Sequence, residues 1–172
     1  MVNDKFSNFD AIQISTIIRV YDKLNIKDHK FWEIAKKRVI PFHPALKGRN
    51  FAIFYVELMK RNIPDELRVE LTKLLPRELW RFNPDDFTRA FKLVIDNNLL
   101  GERLWHNHFH IILWRRTLWL GLRNMPDIID YLIKIDYLED TQWWNESFLT
   151  ALNFYTTRLT DQSIAEKLIP VL

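Results

Sequence analysis

A chain of 172 residues with 48% hydrophobic content is one domain long and rich enough in apolar side chains for a continuous core, which excludes intrinsic disorder. Three glycines and seven prolines are too few for the many turns of a β-sandwich or barrel, and the lack of cysteine excludes disulfides, thiolate metal sites and thiol redox chemistry. The net charge of +3 conceals a split, with 22 Lys and Arg against 14 Asp and Glu in residues 1–123 and 3 against 8 in residues 124–172, a pattern suited to a protein held between an anionic surface and a basic neighbour.

Residues 2–9 read as a lead-in, and Met1 to Asp10, which contains Asp4 and Asp10 and lacks an apolar core, is expected to be neither a secretory signal nor an Arg-rich transit peptide, any organelle address being removed or cryptic. Residues 10–24 are predicted as a first helix and 29–39 as a second. Pro41 and Pro44 in the linker 40–44 forbid a continuous helix there. Residues 50–61 and 64–75 form the next hairpin, its second helix opened by Pro64-Asp65-Glu66, where proline and acids are favoured, and ended by Pro76. A connector over 77–82 has room for one helical turn. Asn83-Pro84-Asp85-Asp86 then caps a helix over 86–97. The following helix runs from about Glu102 through Trp114 to Leu120 and mixes aromatics, histidines and arginines. Gly121 and Asn124-Met125-Pro126-Asp127 stop it and start a last hairpin, 127–135 and 141–156. Thr160-Asp161-Gln162 opens a short capping helix to Leu172. No Gly- or Ser-rich linker divides the chain, so residues 1–172 are expected to form a single domain. The longest apolar stretch, 111–122, is interrupted by Arg115 and Arg116 and is too short to span a bilayer, so no membrane insertion is expected.

An internal repeat orders these elements. Asn25-Ile26, Asn62-Ile63, Asn98-Leu99 and Asp136-Tyr137 are each an Asn or Asp followed by an apolar residue, at spacings of 37, 36 and 38. Eight residues before each polar residue stand Ile17, Phe54, Ala90 and Ile128; seven before stand Ile18, Tyr55, Phe91 and Ile129; four before stand Tyr21, Leu58, Val94 and Leu132. This is the stripe of an amphipathic helix that ends at the polar residue, whose short side chain tolerates positive φ. Seven residues after it stand Trp32, Val69, Trp105 and Trp143 on a second helix, with Trp32, Trp105 and Trp143 in equivalent positions between hairpins. One helical hairpin cannot bury its apolar face alone. The expected fold is therefore all-α, a right-handed solenoid of four stacked helical hairpins with a repeat of about 37 residues, roughly 10–45, 50–82, 86–122 and 126–158, and a cap at 160–172.

Residues with chemical potential are few. His106 and His110 share a helix face at a zinc-chelating spacing, but Asn107 stands where a zincin has Glu and no third ligand is evident, so the histidines read as interface or partly buried groups. Asp85-Asp86 and Glu139-Asp140 fall at helix starts, where the macrodipole accounts for them. No phosphate-binding loop, dinucleotide fingerprint or nucleophile elbow occurs; no catalytic residue, metal ligand or cofactor is predicted. The basic groups Lys36, Lys37, Arg38, Lys60, Arg61, Arg115, Arg116 and Arg123 are interleaved with Trp114 and Trp119. Arginine beside an exposed aromatic ring grips phosphate and stacks on unpaired bases; the alternative is a solvated helix face with the tryptophans in the core. Lys23, Lys60 and Lys134 recur two residues before the polar residue of the repeat.

The units Ile17-Ile18-Arg19-Val20-Tyr21-Asp22-Lys23-Leu24-Asn25-Ile26-Lys27-Asp28 with Phe31-Trp32, and Ile128 to Asp140 with Trp143-Trp144, resemble heptatricopeptide-type repeats. These are relatives of pentatricopeptide and octotricopeptide repeats and occur in mitochondrial RNA-binding proteins, including the FAST-kinase-like and RAP-domain families. The likeness covers about four fifths of the chain and rests on the apolar positions and the Lys-Leu-Asn-Ile turn. Arg61 stands where Leu24 does and Val69 where Trp32 does, and no RAP domain is recognisable. The resemblance implies a mitochondrial matrix location and a structural role in RNA metabolism, as a subunit of a mitochondrial ribosome contacting rRNA and neighbouring proteins. It also implies an alternative, a protein-binding accessory subunit on the F1 sector of mitochondrial ATP synthase or another respiratory complex, because a pentatricopeptide-like protein serves there in euglenozoa.

Overall fold

The computed structural model describes Phe9, 11–26, Lys30, Phe31, Ile34, 46–61, Ile63, 65–137 and 142–157. These residues are helical or in turns, and no strand occurs among them, so the protein is all-α. Most of the second helix of the first hairpin, Trp32 and the Lys36-Lys37-Arg38 cluster included, the 40–44 linker, Asn62, Glu139-Asp140 and the segment 160–172 lie outside the described residues. The chain divides into two compact units, Met1–Leu93 and Val94–Leu172.

In the first unit, helix α1 (Ala11–Lys23) places Ile14 and Ile18 against α2 (Arg49–Met59), and the Ser15 hydroxyl donates to the Asn50 carbonyl at 3.4 Å. Helix α2 is buried on nearly every side, from Phe51 to Met59, as a helix apolar all round must be. Its one carboxylate, Glu57, accepts an ion pair from Lys60 at 3.2 Å. Helix α3 (Asp65–Glu78) supplies Leu71 and Leu75, and its Thr72 hydroxyl donates to the Arg68 carbonyl at 2.8 Å while lying 3.2 Å from the Tyr55 phenol. Burial pushes the Tyr55 phenol well above its ordinary range. Pro76 was expected to end α3, yet the helix continues to Glu78 and into the 3-10 turn Leu79–Arg81. Proline removes a single backbone donor, and the turn that follows it is held by buried Leu79 and by the hydrogen-bonded Glu78.

Glu78 also secures the entry to α2. Its carboxylate, 2% exposed, accepts from the Gly48 backbone N–H at 2.8 Å and from Arg81 at 3.1 Å. A buried charge needs such donors to offset its lost hydration. Gly48 has φ +52°, and a Cβ there would meet the Arg81 side chain at 3.4 Å. Helix α4 (Pro84–Asp96) begins two residues earlier than its sequence predicts, at the proline itself. The Asn83 side chain accepts from the Asp86 N–H at 2.8 Å and donates to the Asp86 carboxylate at 2.8 Å, a reciprocal cap of the helix start. Phe87, Ala90, Phe91, Val94 and Ile95 form its buried stripe.

In the second unit, α5 (Glu102–Leu104) widens into a π-helical turn at Trp105–Phe109 and leads into α6 (His110–Lys134). Helix α6 is two helices in one span. Arg116 departs from helical geometry at φ −130° and Gly121 takes φ 69°, so the chain breaks beside the glycine, as its sequence predicts, and the next helix starts before Pro126 and not after it. The Asn124 amide donates to the Leu120 carbonyl at 3.1 Å, satisfying one acceptor that the break exposes. After Gln142, a second π-helical turn, Trp143–Phe148, leads into α7 (Leu149–Thr156).

The amphipathic stripe of the repeat is buried at Phe54, Ala90 and Ile128, at Ile18, Tyr55, Phe91 and Ile129, and at Leu58, Val94 and Leu132. Trp105 and Trp143 are buried at equivalent positions, each opening a π-helical turn, whereas Val69 is 39% exposed. The second unit of the repeat therefore has no buried anchor at that position, in keeping with the departure of Val69 from the tryptophan pattern.

Burial raises the Asp86 carboxyl above its ordinary value, and the opposing pull of Arg89, Arg49 and Asn83 does not reverse the shift. A raised folded-state pKa contributes stability that is complete at pH below the unfolded value and is lost as pH climbs through the folded value. Wild type should therefore lose stability relative to Asp86→Asn as pH rises from below the carboxylate range to neutrality. Urea unfolding of both proteins across that range measures the difference, and a relative gain by wild type would contradict the assignment.

Candidate functional site

Three turns position the candidate residues. Asn25, Asn98 and Asp136 have φ of 50°, 55° and 57°, the left-handed conformation that a non-glycine residue adopts readily only when it is Asn or Asp. After α4 the Leu99 N–H donates to the Val94 carbonyl at 2.8 Å and the Asn98 N–H to the Ile95 carbonyl at 3.0 Å, the paired bonds of a Schellman cap. Ile26 to Tyr21 at 2.9 Å supplies the outer bond after α1, and Asp136 to Ile133 at 3.0 Å the inner bond after α6. The polar–apolar pair of the repeat is thus the residue that turns left-handed and the apolar residue that follows it.

The position two residues before these turns is also informative. It holds Lys23, Lys60 and Lys134 in three units but Asp96 in the third, and Lys134 Nζ donates to Asp96 Oδ1 at 2.5 Å. The Tyr131 hydroxyl donates to the other carboxylate oxygen at 2.7 Å. Burial, then the hydrogen bond to Asp96, then the charges of Asp96, Asp127 and Asp130 push the Tyr131 phenol up to about 12.

The predicted basic residues fall into separate settings. Lys60 is spent on Glu57, and the carbonyl of Arg61 accepts from Arg68 Nη2 at 3.2 Å, so this pair belongs to the local structure at the end of α2. On α6 the Arg116 guanidinium lies 4.1 Å from the centre of the Trp119 ring, and Arg115 and Arg123 are exposed on either side of it in sequence. Leu118 is exposed as well. The non-helical backbone of Arg116 sits at the start of the break that Gly121 completes, so helix geometry gives way where the cation meets the ring. Arg115, Arg116, Trp119 and Arg123 lie together on α6 in the second unit and form the basic and aromatic part of the candidate site, while Lys60 and Arg61 belong to the first unit. His108 is held below its ordinary pKa by burial and then by Arg103, so it adds no positive charge at neutral pH. No group of three or more metal-ligating side chains occurs among the described residues.

A second feature was missed by sequence reasoning. Trp105, Tyr137, Ile95 and Ile135 line an open groove of about 460 Å³ whose polar rim includes Asn98, Glu102, His106 and Lys134. Tyr137 meets Trp105 edge-on at 4.7 Å and His110 at 5.7 Å, and lies 6.5 Å from Trp143, which in turn contacts Trp144 and Phe148. The acid at the third unit's lysine position was the signal that could have revealed it. No family model matches the chain, and no curated protein is significantly similar to it.

Trp105 is 8% exposed and Trp80 is 41% exposed, which separates a core anchor from a surface ring. Trp105→Ala should cost about 3–5 kcal/mol of unfolding free energy and Trp80→Ala much less. Denaturant titration tests this, and equal effects would contradict the assignment.

Proposed function

We propose that this protein is a structural, non-catalytic subunit of a mitochondrial ribonucleoprotein assembly, built as a stack of four helical hairpins and contacting RNA through the face around the α6 break. The observation that carries the reading is the Arg116 guanidinium stacked on Trp119 and flanked in sequence by exposed Arg115 and Arg123. Guanidinium groups pair with phosphate oxygens in a fixed fork, and an indole at the surface offers a stacking plane to an unpaired base. Positive charge concentrated in residues 1–123 supports the same direction. The repeat reading gains support from side-chain contacts near one period apart: Lys134 with Asp96, Tyr131 with Asp96, Ser147 with the Trp114 carbonyl, and Tyr155 with the Leu118 carbonyl, besides Ser15 with Asn50 in the first unit. Among the described residues no helix is long and apolar enough to cross a membrane.

A protein-only accessory subunit, on the F1 sector of ATP synthase or another respiratory complex, is the second reading. Lys60 is neutralised by Glu57, and exposed Leu118, Leu149 and Phe154 offer apolar contact area that RNA does not need. Binding of a fluorescent single-stranded RNA at several salt concentrations separates the two. Arg115→Glu, Arg116→Glu and Arg123→Glu together should weaken binding and lower the slope of log K against log salt by about 0.7 for each phosphate contact removed. Absence of RNA binding by wild type even at low salt would overturn the RNA reading and leave the protein-only one.

A further inference from the structure

The groove between the Asn98 turn and the Asp136 turn has a chemistry opposite to that of the arginine face. Its one lysine, Lys134, is held by Asp96 at 2.5 Å and lies 4.9 Å from the centre of the Tyr131 ring, so its charge is already matched. Glu102 and the Asn98 side chain are exposed at the rim and make no hydrogen bond or ion pair with other described residues. Buried Trp105 and half-buried Tyr137 supply aromatic surface beside them. Asp136 and Asp130 are exposed nearby in sequence, in a region where acids outnumber bases by 8 to 3 over residues 124–172. An anion entering this groove would face the Glu102 carboxylate, and the one lysine of the lining is already matched by Asp96, which leaves the His106 imidazole as the other basic group at the rim. A cation would gain a counter-ion and the edge or face of a ring.

We propose that this groove receives an arginine side chain presented by a protein partner, with the Glu102 carboxylate as its counter-ion, the Asn98 amide oxygen as a second acceptor, and the Tyr137 and Trp105 rings as its walls. Arginine fits better than lysine because a planar guanidinium pairs with a carboxylate through two parallel N–H groups and stacks on aromatic rings at the same time. An open groove of about 460 Å³ suits a single long side chain on an extended segment. RNA is disfavoured here because its phosphates would meet the Glu102 carboxylate at the rim.

The test uses the full chain and a short peptide of alternating glycine and arginine, followed by calorimetry and by the Trp105 indole N–H resonance. The arginine peptide should shift that resonance, and Glu102→Gln should weaken binding about tenfold or more, whereas Glu146→Gln, on the π-helical turn of the last hairpin, should leave it unchanged. A peptide with lysine in place of arginine should bind less tightly. Equal weakening by both substitutions would reduce the effect to diffuse charge and overturn the proposal. No weakening by Glu102→Gln, equal affinity for the lysine peptide, or a Trp105 shift caused by oligouridylate and not by the arginine peptide would each overturn it as well.

Discussion

The described structure depends on left-handed residues that end three of its helices. Asn25, Asn98 and Asp136 turn the chain out of the helix, and the Ile26 and Leu99 N–H groups donate back to carbonyls of the helix each has left. Left-handed geometry costs an ordinary residue about 1–2 kcal/mol, a penalty that the local side-chain hydrogen bonding of Asn and Asp reduces. Because the turn fixes where the first helix stops, it also fixes which residue stands two positions earlier. That is how Asp96 and Lys134, one repeat apart, come to face each other.

Burial and charge have different tasks in this fold. The Lys134–Asp96 pair is about half exposed on both sides, and a pair of that kind contributes roughly 0–1 kcal/mol, too little to hold two helices together. It selects a register. Adhesion comes from the aromatic cluster of Trp105, Tyr137, Trp143 and Phe148, each ring of which removes far more apolar surface from water. Both tryptophans open a π-helical turn, where the extra residue widens the helix; such turns are rare and concentrate at functional sites. The groove lies beside the first of them.

Sequence periodicity made the all-α fold and most of the buried stripe legible, because apolar spacing answers directly to helix geometry. It also located the turns, since Asn and Asp before an apolar residue have a conformational reason to be there. Pro76 and Pro126 misled the element boundaries: a proline deletes one donor, and tertiary burial decides whether the helix stops. Val69 kept the repeat spacing yet lies exposed, because spacing does not report what stands opposite a residue. For the candidate site, the Arg116–Trp119 pair is three residues apart and was visible as neighbouring types. The groove was not, since it joins residues around 98–106 to residues around 134–137, and only folding brings them together.

The arginines around Trp119 and the aromatic groove beside Glu102 differ in chemistry, and the turns at Asn98 and Asp136 frame the groove. The most direct measurement of the account is the unfolding free energy of Asn98→Gly beside that of Asn98→Val. Glycine accepts positive φ without strain, and a β-branched residue does not. The account predicts Asn98→Gly at or slightly above wild-type stability and Asn98→Val lower by about 1–2 kcal/mol. Equal stability of the two variants would contradict it.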